Sequence, residues 1–213
     1  MNNNTKEVLE LLDMHYEAYA KIKPFADKHK HPHPTDTRGW SQMLVSALTG
    51  IPGYERKKGP DLDDGSDVKA ANCWDAIDTP RFNGCIKAGT QSSTANTLAS
   101  LDDMPYLFFV MWDTTEATNQ YRCRVWVVNT QQDAEFRAIA DAWYAQRNSG
   151  EIKSDNFQLH PPRNKDINIF RNNCGWLEYP LMLEARLVND RFTLTSYDAG
   201  AMSTTRCRKC RKP

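Results

Sequence analysis

Apolar positions along this chain recur with helical spacing near both the start and the middle. They run nearly without interruption in between. Over residues 5 to about 22, Val8, Leu12, Tyr16 and Tyr19 return every three or four positions, while Lys6, Glu10, Asp13, Glu17 and Lys21 fall mostly elsewhere. That spacing predicts an amphipathic helix, and Pro24 is expected to stop it soon after. The stretch His29-Lys30-His31-Pro32-His33-Pro34 reads as a solvated loop, with alternating histidines capable of adventitious metal binding. Thr37 or Asp36 then caps a second helix, with Trp40, Met43, Leu44, Ala47 and Leu48 as its apolar face. Gly50 and Pro52-Gly53 end it.

Further on, residues 106–113 and 122–129 read as adjacent strands, the first apolar almost throughout, as a central strand would be. Residues 133–147 predict a helix burying Phe136, Ile139, Ala140, Trp143 and Tyr144. Residues 181–187 and 191–197 predict a hairpin around Asn189-Asp190. Residues 67–74 read as a strand, 92–101 as weakly helical and 150–173 as irregular.

The chain has 213 residues, which suits a single domain over 1–213 with a short basic CxxC tail at about 200–213. Charged residues make up 25% and hydrophobic residues 40%, ordinary values for a soluble globular protein. The densest apolar run, 106–112, has the length of a strand and not of a membrane span. The opening Met-Asn-Asn-Asn-Thr-Lys-Glu lacks the apolar core of a signal peptide, so the expected location is the cytoplasm. A formal net charge of zero argues against a protein that coats nucleic acid. It leaves room for a DNA enzyme, in which a basic groove coexists with acidic surfaces.

The segment Gly59-Pro60-Asp61-Leu62-Asp63-Asp64-Gly65-Ser66-Asp67-Val68-Lys69 carries the candidate chemistry. It reads as two short strands joined by an Asp-Asp-Gly-Ser turn. Residues two apart on a strand share a face, so Asp67 and Lys69 point together and Val68 points into the core. Cross-strand neighbours are about 5 Å apart, which brings Asp61 to Asp67. Two carboxylates, with the Val68 carbonyl as a third ligand, suit Mg²⁺, which keeps several waters and needs few protein oxygens. Such an ion lowers the pKa of a bound water and neutralises charge developing on a phosphate. Lys69 would polarise the attacking water or hold the phosphate. A calcium loop of the EF-hand type is excluded, because its sixth and twelfth positions would be Ser66 and Asn72 instead of Gly and Glu.

Pro60-Asp61 followed by Asp67-Val68-Lys69 resembles the PD-(D/E)xK motif of type II restriction endonucleases and related nucleases. The resemblance implies a restriction-endonuclease-like α/β (mixed α+β) fold, a mixed central sheet flanked by helices. It also implies Asp61 and Asp67 as Mg²⁺ ligands and Lys69 as the catalytic lysine. The gap between the two aspartates is shorter than in most of that family, so Asp63 or Asp64 remains an alternative first carboxylate. The expected activity is Mg²⁺-dependent, sequence-specific cleavage of double-stranded DNA. A homodimer is the simplest way to cut both strands.

Lys57 and Lys58, ahead of the motif, are candidate phosphate contacts. Asn72, Arg81, Asn83 and Lys87, beyond it, are candidate DNA contacts, being of residue types that meet phosphates or base edges. Cys207-Arg208-Lys209-Cys210 has the spacing of half a zinc site, with Cys174 as a third candidate ligand and Cys85 or His160 to complete it. Free thiols are the competing reading. Two other functions fit the residues: a non-catalytic, zinc-containing DNA-binding protein, and a repair or structure-specific nuclease.

Overall fold

A computed structural model of the chain describes residues 3–33, 36–54, 59–74, 79–88, 96–203 and 206–213. Its element order is α1 (Asn3–His29), α2 (Arg38–Thr49), β1 (Asp67–Asn72), β2 (Tyr106–Thr114), β3 (Tyr121–Asn129), α3 (Ala134–Asn148), β4 (Ile169–Asn172), β5 (Gly175–Glu178), β6 (Leu181–Val188), β7 (Arg191–Tyr197) and β8 (Arg208–Cys210). A five-stranded sheet has the order β1-β2-β3-β6-β7, and a smaller sheet the order β4-β5-β8. Only the β1–β2 pair in the large sheet is parallel. The fold is therefore mixed α+β, with a mixed central sheet, as a restriction-endonuclease-like core requires.

Strands β2 and β3 alternate their apolar side chains between two cores. On one face Phe108, Val110, Trp112 and Val125 pack with Val8 and Leu12 of α1 and Leu44, Val45 and Leu48 of α2. On the other, Phe109, Met111 and Trp126 pack with Phe136, Ala140 and Trp143 of α3 and with Phe170 and Leu177 of the small sheet. Both faces being covered explains why β2 is apolar from Leu107 to Trp112. Asp133 caps α3, its carboxylate accepting from the Phe136 N–H at 2.9 Å. Asn189 and Asp190, at φ 50° and 60°, form the left-handed turn between β6 and β7.

Several sequence expectations are corrected. Pro24 does not stop α1, which runs through it to His29. The carbonyl that the proline ring frees belongs to Ala20, on the exposed side of the helix, where water can satisfy it. Met43 is exposed, and Ser41 and Val45 take buried positions on α2. His33 is not solvated loop, since its ring packs 4.4 Å from Tyr19. The segment from Gly59 to Lys69 is no two-stranded hairpin. The Leu62–Gly65 turn forms, with the Gly65 N–H donating to the Leu62 carbonyl at 3.2 Å. The chain before the turn, however, pairs backwards with the loop after α2: Tyr54 N–H donates to the Asp61 carbonyl and Asp63 N–H to the Pro52 carbonyl. After the turn, β1 pairs with β2. Strand β2 offers β1 a ladder along its whole length, which the short segment 59–62, lacking an N–H at Pro60, cannot match. No helix among the described residues is long and apolar enough to cross a membrane.

Candidate active site

Strand β1 lies at the edge of the large sheet, so one side of its backbone is free of ladder partners. The Val68 N–H points to that side, donating to Asp61 Oδ2 at 2.9 Å and to Asp67 Oδ1 at 3.0 Å. A residue's carbonyl leaves a strand on the same side as its own N–H. The Val68 carbonyl therefore opens onto the same edge as the two aspartates. Its side chain is buried against α2, while Asp67 and Lys69 lie on the opposite face, as the alternation requires.

Asp61 reaches this point from the turn. Leu62 is fully buried and anchors the segment. At Gly65, φ +94°, any side chain would meet the Asp103 carbonyl at 2.8 Å, so the turn demands glycine. Asp64 is consumed by the turn, accepting from the Ser66 N–H at 2.8 Å and the Ser66 hydroxyl at 2.9 Å. Asp63 is exposed. Of the three candidate first carboxylates, it is Asp61 that meets Asp67.

The electrostatics follow from this crowding. Burial, a hydrogen bond to Asp67 and that neighbour's charge push the Asp61 carboxyl up to about 7, against the pull of the Val68 amide and Lys69. Burial also works against an ionised Asp67. The hydrogen bond from Asp61, the charge and hydrogen bond of Lys69 and the Val68 N–H outweigh it and hold Asp67 below the ordinary carboxylate range. Below about pH 7 one proton is thus held between the carboxylates, on Asp61, beside an ionised Asp67. Lys69 Nζ lies 2.8 Å from Asp67 Oδ2, and both side chains are four-fifths buried. Burial disfavours the ammonium, but Asp67 foremost raises its pKa above that of a free lysine, so Lys69 is a cation at neutral pH. Cys85 lies close to this pair; burial pushes its thiol up to about 12 and keeps it neutral.

Sequence reading missed Gln42. Its Nε2 donates to Asp61 Oδ1 at 2.6 Å, from the side of α2 that faces the turn. A lone glutamine on an amphipathic helix carries no local signal for this, because its partner is 19 residues away.

The remaining candidates are dispersed. Asn72 ends β1, its Oδ1 accepting from the Trp74 N–H at 2.8 Å. Arg81, Asn83 and Lys87 are exposed on the segment that runs past Lys69, and Asn83 accepts from Asn156 and Gln158. Lys57 and Lys58 lie outside the described residues. The zinc expectation is corrected. Among the described residues, no three His, Cys, Asp or Glu side chains gather as metal ligands. Residues 208–210 form strand β8, and an extended chain separates positions three apart by about 10 Å and turns them to opposite faces. Cys207 is buried beside Asp133, Cys210 is paired with Trp176 on β5, and Cys174 contacts Gln146.

The family model of the MamI restriction endonuclease matches residues 24–191. This chain belongs to the MamI restriction endonuclease family. The match contains α2, β1 and the whole Asp61–Asp67–Lys69 cluster, so the site lies inside the part that this MamI-family protein shares with its relatives. The type II restriction enzyme MamI of Microbacterium ammoniaphilum is 30% identical over 176 residues, 71% of this chain and 52% of the relative. The MamI-family chain thus spans about half the length of that curated relative. No solved structure matches it.

Proposed function

We propose that this protein is a Mg²⁺-dependent, sequence-specific endonuclease of type II restriction class that hydrolyses phosphodiester bonds in double-stranded DNA through a PD-(D/E)xK-type site. One observation carries the reading: Asp61, Asp67, the Val68 carbonyl and Lys69 converge at a free sheet edge inside the region matched by a restriction endonuclease family. The all-oxygen donor set fits Mg²⁺, for which two carboxylates and a carbonyl suffice. The proton held between Asp61 and Asp67 marks where a cation would be welcome. Bound there by Asp61, Asp67 and the Val68 carbonyl, Mg²⁺ would supply an acidified water and neutralise charge on the scissile phosphate.

The protein's own groups do the rest. Lys69 is a cation in the resting site, so its task is to attract a phosphate oxygen and the charge that develops on it, and not to remove a proton. Asp67 keeps that ammonium in place. Gln42 and the Val68 N–H fix both oxygens of Asp61, so the carboxylate is oriented before substrate arrives. Arg81, Asn83 and Lys87, beside the site, are the proposed DNA contacts, joined by Lys57, Lys58 and Asn72. Among the described residues each chain carries one such cluster, so cutting a duplex calls for a homodimer whose two-fold axis matches that of the recognition sequence.

The test is a digest of phage DNA by the purified chain with Mg²⁺. Discrete bands that disappear in EDTA support the proposal. Uncut DNA, or cleavage that persists in EDTA, rejects it, and a smear without bands rejects sequence specificity.

A further inference from the structure

We infer that a second cleft, formed by the 160–171 segment with Lys212 and Pro213 and carrying only basic residues among its charged lining, binds the phosphate backbone of the same duplex that enters the catalytic edge. The inference rests on the nuclease reading for its partner, duplex DNA. The cleft is lined by Pro80, His160, Arg163, Lys165, Arg171 and Lys212, among others, and no acidic residue is among the described residues lining it. Burial lowers the pKa of the His160 imidazole, and the nearby charges of Arg171 and Arg81 lower it further, so the field they cast on it is positive.

The arginines of this cleft and Arg81 beside it differ from most others in the protein. Many of its other arginines are paired with carboxylates: Arg122, Arg124, Arg137, Arg147, Arg186, Arg191, Arg206 and Arg208. Arg81, Arg163, Lys165, Arg171 and Lys212 have no carboxylate partner among the described residues, and all five are exposed. Neighbouring like charges repel each other unless an anion is supplied, and a polyphosphate supplies it.

The frame that presents them is rigid. Buried Arg124 donates to the carbonyls of Pro162, Lys165 and Ile167 at 3.0–3.1 Å. Buried Arg122 donates to the Lys165 carbonyl at 3.3 Å. Both guanidiniums are themselves held by Asp113. The loop is pinned to the sheet by its carbonyls, which leaves the Arg163 and Lys165 side chains facing solvent from a fixed base. A preorganised loop loses little entropy on binding.

Continuity with the catalytic edge comes from residues 80–85. Phe82 is bridged to Leu159, next to His160, while Cys85 lies beside Lys69 and Asp67. The five residue-to-residue steps from 80 to 85 span at most about 18 Å, which is about five base-pair steps at ~3.4 Å each. One duplex segment can therefore touch both the cleft and the catalytic edge, with Arg81 between them.

The test is fluorescence anisotropy of a 30-base-pair duplex in EDTA, over a salt series, for the wild-type chain and Arg163→Gln/Arg171→Gln. The expected result is a loss of affinity of about tenfold or more, and a salt slope reduced by about 2, close to one unit per phosphate contact removed. Lys165→Gln, whose backbone carbonyl still anchors Arg122 and Arg124, is expected to lower the slope by about 1 without altering the melting temperature. Unchanged affinity and slope in folded variants would overturn the cleft, as would tighter binding of an RNA hairpin than of the duplex. Failure of the nuclease reading looks different: the wild type would bind through the cleft and leave DNA uncut, an outcome that upholds the cleft.

Discussion

Asp61 and Asp67 share a hydrogen bond at the free edge of β1, one carboxyl keeping its proton to about pH 7 and the other held ionised by Lys69. Two carboxylates that are both ionised only above about pH 7 make a site whose affinity for metal depends on pH.

The Mg²⁺ requirement is therefore expected to ease as pH rises through about 7. Below that value the Asp61 proton competes with the ion; above it the carboxylate is free, and further pH increase changes little. Cleavage measured against Mg²⁺ concentration at pH 6, 7 and 8 checks this. A half-saturating concentration that stays constant across the series would contradict the shared proton.

Removing the charges should stop chemistry and spare binding. Asp67→Ala and Lys69→Ala are each expected to lower the cleavage rate by about 100-fold or more, the size of effect seen when one preorganised charge or donor is lost. Duplex affinity in EDTA should stay within a few-fold of the wild type. Full activity in either variant would remove it from the proposed machinery.

Gln42 is expected to act as a positioning residue. Gln42→Ala leaves Asp61 Oδ1 without its donor, so the Mg²⁺ concentration for half-maximal rate should rise while KM for DNA holds. A shift in KM alone would point to a substrate contact instead.

Fold stability should decline in mild acid because of His15. Its ring is enclosed by Trp40, Trp74 and Trp112 at 4.4–5.4 Å, and burial, with the nearby His33, lowers its pKa to about 4. The folded state disfavours the imidazolium, so stability is intact above the unfolded pKa of about 6.5 and is lost as pH falls towards 4. Melting temperatures between pH 7 and 4 should show the drop, and His15→Phe should flatten it over this window.

The buried Asp113 anchors two arginines at once, 2.9 Å from Arg122 and 2.7 Å from Arg124, all three essentially without solvent contact. Asp113→Ala would strand the buried Arg124, while Arg122 keeps Asp166 and Glu184, and is expected to cost about 3–5 kcal/mol. Urea unfolding of the variant, read as a shift in midpoint at constant slope, measures it.

The sequence by itself determined the elements whose partners are close or whose period is strong. Apolar spacing marked α3, β2, β3 and the β6–β7 hairpin, and the Asp-Asp-Gly-Ser turn was legible because Gly65 and Asp64 act on their own neighbours. The placement of Asp67 and Lys69 on one face followed from strand alternation alone. Tertiary structure decided the rest. The parallel pairing of β1 with β2, the backward pairing of Asp61 with the loop after α2, and the grip of Gln42 on Asp61 all join residues whose local sequence does not name the partner. Which of Asp61, Asp63 and Asp64 lies against Asp67 was decided the same way: Asp64 is bonded within the turn, Asp63 is exposed, and Asp61 is directed at Asp67. The extended Cys207–Cys210 segment is strand only because β5 offers it an edge. Local periodicity reports which side of an element is buried, whereas the element it is buried against is set by competition among surfaces across the whole chain.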